Sequence, residues 1–273
     1  MMQQTNSKVQ SVNGGLLSVV PNLFTLANLF FGCMAIVAIL QPGLTTTVDG
    51  ETGLQLVVVP ENWYWASVFI GIAAVIDFLD GFVARLLKAS SALGAQLDSL
   101  ADVVSFGVAP GMIVYQFLRW SWAQHEDGLD VSMLWLLPAF IIPCAGAYRL
   151  GRFNIDTEQS YGFKGVPIPA AGLLIASFPL IYWYSDNATA IKMLSNEWFW
   201  YAVILIVSYL MVSTLPMLAL KFKNASVKKL MPFIILAIIA AITGILFGWL
   251  AVPVTFIAYV IISLVYKQKN HDL

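Results

Sequence analysis

DFLDGFVARLLKASSALGAQLDSLAD, residues Asp77 to Asp102, places four aspartates, Asp77, Asp80, Asp98 and Asp102, inside two apolar runs. Those runs extend outward from it, over Asn62–Leu87 and Leu93–Trp120. Each is long enough for a membrane-spanning helix, which needs about 20 mostly apolar residues. The turn between them, Lys88–Ser91, is short, and Ser90 or Ser91 is available to cap the second helix. So short a turn makes the two helices antiparallel neighbours. Asp77 and Asp80 are three apart and share one helix face; Asp98 and Asp102 are four apart and share another. At about 1.5 Å per residue, Asp80 and Asp102 lie at matching depths of about 14–16 Å from the turn. All four carboxylates can therefore converge on one site open toward the cytosol.

The rest of the chain is of the same kind. Of 273 residues 59% are hydrophobic and only 11% charged, about half the charged share of a soluble domain. Apolar runs mark eight spans: Leu16–Leu40, Asn62–Leu87, Leu93–Trp120, Val131–Arg152, Ile168–Tyr184, Trp198–Leu220, Leu230–Leu250 and Ala251–Tyr266. The expected fold is an all-α polytopic transmembrane helix bundle of about eight spans. Lysine and arginine set the orientation. With the N-terminus inside, the cytosolic side holds Lys8, Arg85, Lys88, Arg149, Arg152, Lys164, Lys221, Lys223, Lys228, Lys229, Lys267 and Lys269, against Arg119 and Lys192 outside. That asymmetry predicts an even number of spans and both termini in the cytosol. Residues 1–15 are polar, lack the pattern of a cleaved signal peptide, and are expected to form a cytosolic tail. Trp63, Trp65, Trp120, Trp122, Trp183, Trp198 and Trp200 fall at outer span ends, where tryptophan anchors at the headgroups. Cys33 and Cys144 are expected as small buried side chains rather than a disulfide framework. A net charge of −1 with no basic stripe gives no sign of nucleic-acid binding.

Acids near the middle of a span are costly, at roughly 2.5–3.5 kcal/mol each. Four together repel one another unless cations neutralise them, and Arg85 is the one fixed cation in this stretch beside the turn lysine. Carboxylate oxygens with no His or Cys cluster suit Mg²⁺ or Mn²⁺, and two such ions could clamp a displacement at phosphorus. Gly81 and Ala84 leave room on the acid face for a bulky ligand, Arg85 adds a phosphate-binding guanidinium, and Gly94 stands one turn before Asp98. Either glycine alone could serve helix packing. An acid network buried for packing and a divalent-cation or proton-coupled transporter are the rival readings. Transporters often carry inverted repeats, and this sequence shows none.

The segment matches D-x2-D-G-x2-A-R-x8-G-x3-D-x3-D at every fixed position: Asp77, Asp80, Gly81, Ala84, Arg85, Gly94, Asp98 and Asp102. It resembles the signature of the CDP-alcohol phosphatidyltransferases. Pro21–Asn28 (PNLFTLAN), Ser105–Gly111 (SFGVAPG), Ala147–Asn154 (AYRLGRFN) and Gly165–Ala171 (GVPIPAA) resemble motifs of one branch, the CDP-diacylglycerol–serine O-phosphatidyltransferases. The likeness covers residues 16 to 175. Gly151 departs from it, standing where many relatives have alanine.

The resemblance implies a core of six helices over residues 16–220, with two further spans over 221–273. It implies attack by the hydroxyl of L-serine on the lipid-side phosphorus of CDP-diacylglycerol, giving phosphatidylserine and CMP. Asp77, Asp80, Asp98 and Asp102 would ligate Mg²⁺ or Mn²⁺, two ions in all, and Asp102 would also be the general base. Asn22, Thr25, Gly81, Ala84, Arg85 and Gly94 would meet CDP-diacylglycerol, although Asn22 and Thr25 could equally be polar contacts between helices. Arg149 and Arg152, three apart on one face, would hold the serine carboxylate, with Arg149 deeper. Lys164 could fill the same role. A homodimer in a prokaryotic cytoplasmic (inner) membrane, with its site facing the cytosol, completes the expectation. Glycerol phosphate or an inositol phosphate as acceptor is the alternative within the same chemistry. Such acceptors call for more basic residues, and Asn28 stands where glycerol-phosphate relatives often carry a basic one.

Overall fold

The computed structural model describes residues 16–41, 43–48, 55–87, 91–125, 128–155, 163–218 and 227–271. The N-terminal tail with Lys8, the turn residues 88–90, and Lys221 and Lys223 lie outside the described residues.

The molecule is a helical bundle. α1 (Leu16–Leu40) leads to a small antiparallel hairpin of β1 (Thr45–Val48) and β2 (Gln55–Val58), and α2 (Trp63–Leu86) follows. α3 (Ala92–Asp102) passes through a π-helical turn, Val103–Val108, into α4 (Ala109–Trp122). α5 (Ile141–Ile155) is preceded by short 3-10 turns. β3 (Phe163–Lys164) precedes α6 (Ile168–Tyr184), then α7 (Ala188–Leu194) and α8 (Glu197–Val212). β4 (Pro216–Met217) pairs back on β3, and α9 (Val227–Phe247) and α10 (Ala251–His271) close the chain.

By length and apolarity, five helical stretches of the described residues can cross a membrane, or six when the bent pair α7–α8 counts as one. α6 is apolar but shorter, at 17 residues. The apolar stretch Leu230–Tyr266 is divided at Gly248, whose φ of 57° turns the chain between α9 and α10. The all-α membrane bundle expected from the sequence is what forms. The sixth span departs from its expected limits. A 77° bend between Leu194 and Glu197 precedes it, where Asn196 caps α8 through a bond from the Trp198 amide. α8 ends at Val212, short of the expected Leu220, and Pro216–Met217 form β4 instead.

Small residues set the packing around the acids. A Cβ at Gly32 of α1 would come within 2.8 Å of the Ser105 backbone, and one at Gly172 of α6 within 3.0 Å of the Phe106 backbone. Gly107 and Gly111, one turn apart, let α4 close on Pro143 of α5. The π turn is therefore held from three sides.

Two expectations about side chains are corrected. Trp63, Trp120 and Trp200 are buried rather than set at the headgroups. Trp200 stacks on Phe117 at 4.7 Å and Trp63 meets Phe117 edge-on at 5.2 Å. Trp120 and Trp200 direct their indole N–H groups to the carbonyls of Val57 and Leu194, which satisfies the one polar atom each ring carries. Cys33 and Cys144 are exposed on the bundle surface, not buried; both are free thiols.

Candidate active site

α2 delivers Asp77 and Asp80 from its last turns, and α3 delivers Asp98 and ends on Asp102. Ser91 fixes where α3 begins, its Oγ accepting the Gly94 amide at 2.9 Å. One carboxylate oxygen from each of Asp77, Asp98 and Asp102 lies within 4.8 Å of the others. Asp102 is buried, and its Oδ1 has no hydrogen-bond partner among the described residues.

Asp80 stands beside this triad rather than within it. Its Oδ2 accepts a hydrogen bond from Thr25 Oγ1 of α1 at 2.9 Å, and that hydroxyl also lies 3.2 Å from the Pro21 carbonyl. Both Thr25 and Asp80 are buried. Thr25 is thus an interhelical contact that orients an acid.

The residues fit a hard divalent cation. The donors are all carboxylate oxygens, drawn from two helices and gathered within a few ångströms, and one is buried with nothing to bond. A buried carboxylate oxygen without a partner is costly unless a cation or donor meets it.

The two motif glycines differ. A Cβ at Gly81 would find one atom within 4 Å, Arg85 Nη1 at 3.9 Å. Among the described residues no other side chain stands over Gly81; the exposed Arg85 borders it, with Ala84 half-buried alongside. Gly94 is filled by protein instead: a Cβ there would stand 2.9 Å from Asn22 Oδ1 and 3.1 Å from Ser91 Oγ. Gly94 and Asn22 therefore mark a close approach of α1 to α3.

The arginines of α5 also separate. Arg149 is buried, lies 5.9 Å over the Phe153 ring, and its Nε has no hydrogen-bond partner among the described residues. Arg152 bonds through Nη1 to the Val212 carbonyl at 2.9 Å and through Nη2 to Ser213 at 3.0 Å. Three residues turn a helix by about 60° short of a full circle, so Arg149 and Arg152 leave α5 in different directions, Arg152 toward the end of α8. Arg152 thus satisfies carbonyls that α8 leaves open. Asn154 Nδ2 then bonds Ser99 Oγ at 2.9 Å, tying α5 to the residue after Asp98. At Gly151 no described atom lies within 4 Å, so an alanine would fit.

Asn28 was not among the expected site residues. It is fully buried, and neither its side-chain nitrogen nor its oxygen has a partner among the described residues. Its carbonyl accepts Ser105 Oγ at 3.0 Å. Asn22, Thr25 and Asn28 recur every three residues, a spacing that puts all three along one side of α1.

Comparison with known proteins identifies the family. The family model for CDP-alcohol phosphatidyltransferase matches residues 18–196. A CDP-diacylglycerol–serine O-phosphatidyltransferase of Helicobacter pylori is 34% identical over 201 residues, 73% of this chain and 71% of that protein. One of Bacillus subtilis is 30% identical over 166 residues, 61% of this chain and 78% of its own. An archaetidylserine synthase of Methanothermobacter thermautotrophicus is 35% identical over 132 residues, 48% of this chain and 52% of its own. With both the acid signature and two thirds of its length matched, this chain belongs to the CDP-alcohol phosphatidyltransferase family.

Proposed function

We propose that this membrane enzyme transfers the phosphatidyl group of CDP-diacylglycerol to the hydroxyl of L-serine, giving phosphatidylserine and CMP. The observation that carries the reading is the pairing of the Asp77–Asp98–Asp102 triad with the face over Gly81, which among the described residues only Arg85 approaches. An acid cluster next to open space bordered by Arg85 suits a nucleotide pyrophosphate. Serine as acceptor is supported by the relatives: their names change the lipid from phosphatidyl to archaetidyl but keep serine.

Divalent metal, Mg²⁺ or Mn²⁺, would be held by Asp77, Asp98 and Asp102, with Asp80 available to a second ion, and would neutralise the pyrophosphate. Arg85 adds a fixed positive charge at the rim. Gly81 and Ala84 let the nucleotide lie against α2. Arg149 takes the serine carboxylate, for which a guanidinium is the matching fork. Asp102 accepts the serine hydroxyl proton. The serine oxygen bonds to the lipid-side phosphorus as the bond from that phosphorus to the bridging oxygen breaks, and CMP carries away the electron pair. Asn22 and Thr25 act through Gly94 and Asp80, which they touch, and Arg152 acts through α8.

The catalytic core is assigned to residues 16–220, with 221–273 as an addition to it. The site faces the cytosol of a prokaryotic cell, and the enzyme is a homodimer in its inner membrane. Purified protein given CDP-diacylglycerol, Mg²⁺ or Mn²⁺, and a panel of acceptors tests the function. CMP release with serine is expected. Release with glycerol phosphate alone would move the enzyme to another branch, and no release with any acceptor, but metal flux in liposomes, would make it a transporter.

A further inference from the structure

α5 meets α3 and its π turn at an inner and an outer contact. The inner one sets Gly107 against Pro143, where a Cβ on Gly107 would lie 3.3 Å from the Pro143 Cα. The outer one is the bond from Asn154 Nδ2 to Ser99 Oγ at 2.9 Å. Ser99 sends its own proton to the Ala95 carbonyl at 3.2 Å, so its oxygen accepts the amide. Two site groups lie between these contacts along their helices: Asp102 between Ser99 and Gly107, and Arg149 between Pro143 and Asn154. At about 1.5 Å per residue, Asp102 stands about 4.5 Å inward of Ser99, and Arg149 about 7.5 Å inward of Asn154. Both are buried, and each has an atom without a partner among the described residues, Asp102 Oδ1 and Arg149 Nε. Asn154 is exposed and Ser99 half-buried. The outer bond therefore stands between bulk water and the two groups.

That bond is also one half of a clamp. Arg152 and Asn154 are two residues apart, which puts them about 200° around α5, on opposite sides. Arg152 reaches the carbonyls of Val212 and Ser213 at the end of α8, and Asn154 reaches α3. We propose that the Asn154–Ser99 bond seals the seam between α3 and α5, so that the phosphatidyl group passes to the acceptor hydroxyl and not to water. Asn154 and Ser99 are positioning residues, acting through α5 and α3 rather than on the substrates. The proposal rests on the transfer reaction proposed above. With the seam open, a water oxygen bonds to the lipid-side phosphorus as the bond from that phosphorus to the bridging oxygen breaks. CMP leaves with the electron pair, Asp102 takes the water proton, and the lipid product is phosphatidic acid. Excluding water from a closed site prevents this side reaction.

The test is a product ratio, phosphatidic acid formed per phosphatidylserine, measured on full-length protein with CDP-diacylglycerol, serine, and Mg²⁺ or Mn²⁺. Asn154→Ala and Ser99→Ala are each expected to raise it by about three- to tenfold, the worth of one hydrogen bond. The double variant should match the singles, because all three lack the same bond. Ser99→Thr keeps the hydroxyl and should keep the wild-type ratio. Arg152→Ala frees α5 from α8 but leaves the seam bonded, and should leave the ratio unchanged. A wild-type ratio in Asn154→Ala overturns the proposal, even where turnover falls. So does an equal rise in Arg152→Ala, which would trace hydrolysis to a loosened α5 and not to the seam, or an additive rise in the double variant. Should one alanine variant not fold, the other removes the same bond and is read by the same ratio. Wild-type protein that makes no phosphatidylserine defeats the proposed function itself, and this proposal with it, before any variant is compared.

Discussion

Gly81 and Gly94 occupy fixed positions of one motif, yet their surroundings assign them opposite work. Space stands over Gly81, so Gly81→Ala should meet no protein atom closer than Arg85 Nη1 at 3.9 Å. Alanine also favours a helix by about 1 kcal/mol over glycine. Gly81→Ala should therefore keep or raise the melting temperature while raising the KM for CDP-diacylglycerol. Gly94→Ala should do the reverse and lose stability first, because its methyl would press on Asn22 Oδ1. Thermal melts in detergent alongside KM measurements separate the two. Asp98 was legible from its cost in a span, and Asp98→Asn should cut turnover by more than the roughly 10–100-fold that outer-shell partners of a metal are worth, with the melting curve preserved. Substantial remaining activity would take Asp98 out of the metal site. Which glycine packs and which stays open was not legible, because α1 supplies Asn22 from more than seventy residues away.

At the scale of elements, apolar runs located the helices well: Leu16–Leu40 and Ile168–Tyr184 form as expected. Hydropathy could not show the π turn after Asp102, since widening a helix by one residue leaves its composition unchanged. π turns of this kind often sit at functional sites, and here the turn is gripped between Gly32 and Gly172. Gly32→Ala would drive a methyl into the Ser105 backbone, 2.8 Å away, and displace the hydroxyl that bonds Asn28. Overpacking of this order costs about 1–3 kcal/mol. The expected result is a lower melting temperature and lower turnover together, since the π turn carries the strain straight to Asp102. Loss of stability with unchanged turnover would show that the turn does not fix the acid. The buried tryptophans escaped a sequence reading for a related reason. Interfacial and core tryptophans occur at the same depth, and only partners such as Phe117 tell them apart.

For the whole molecule, charge asymmetry is the one long-range signal a sequence of this kind carries. On the expected eight-span topology twelve of fourteen cations would share the side of the acid site, and the positive-inside bias would make that side cytosolic. The structure makes the assignment testable at two exposed positions. Gly151, in the last turns of α5, has no described atom within 4 Å and accepts a larger residue. Asp186, between α6 and α7, is exposed at the opposite end. Because Cys33 and Cys144 are both exposed, each must first be replaced by serine. In that background a membrane-impermeant maleimide should label Asp186→Cys in intact cells, and Gly151→Cys only after the membrane is opened. The reverse pattern would turn the bundle over and place the acid site outside, away from a cytosolic nucleotide. Bound CDP-diacylglycerol should leave Asp186→Cys labelling unchanged, because that residue and the Gly81 face lie at opposite ends of the bundle.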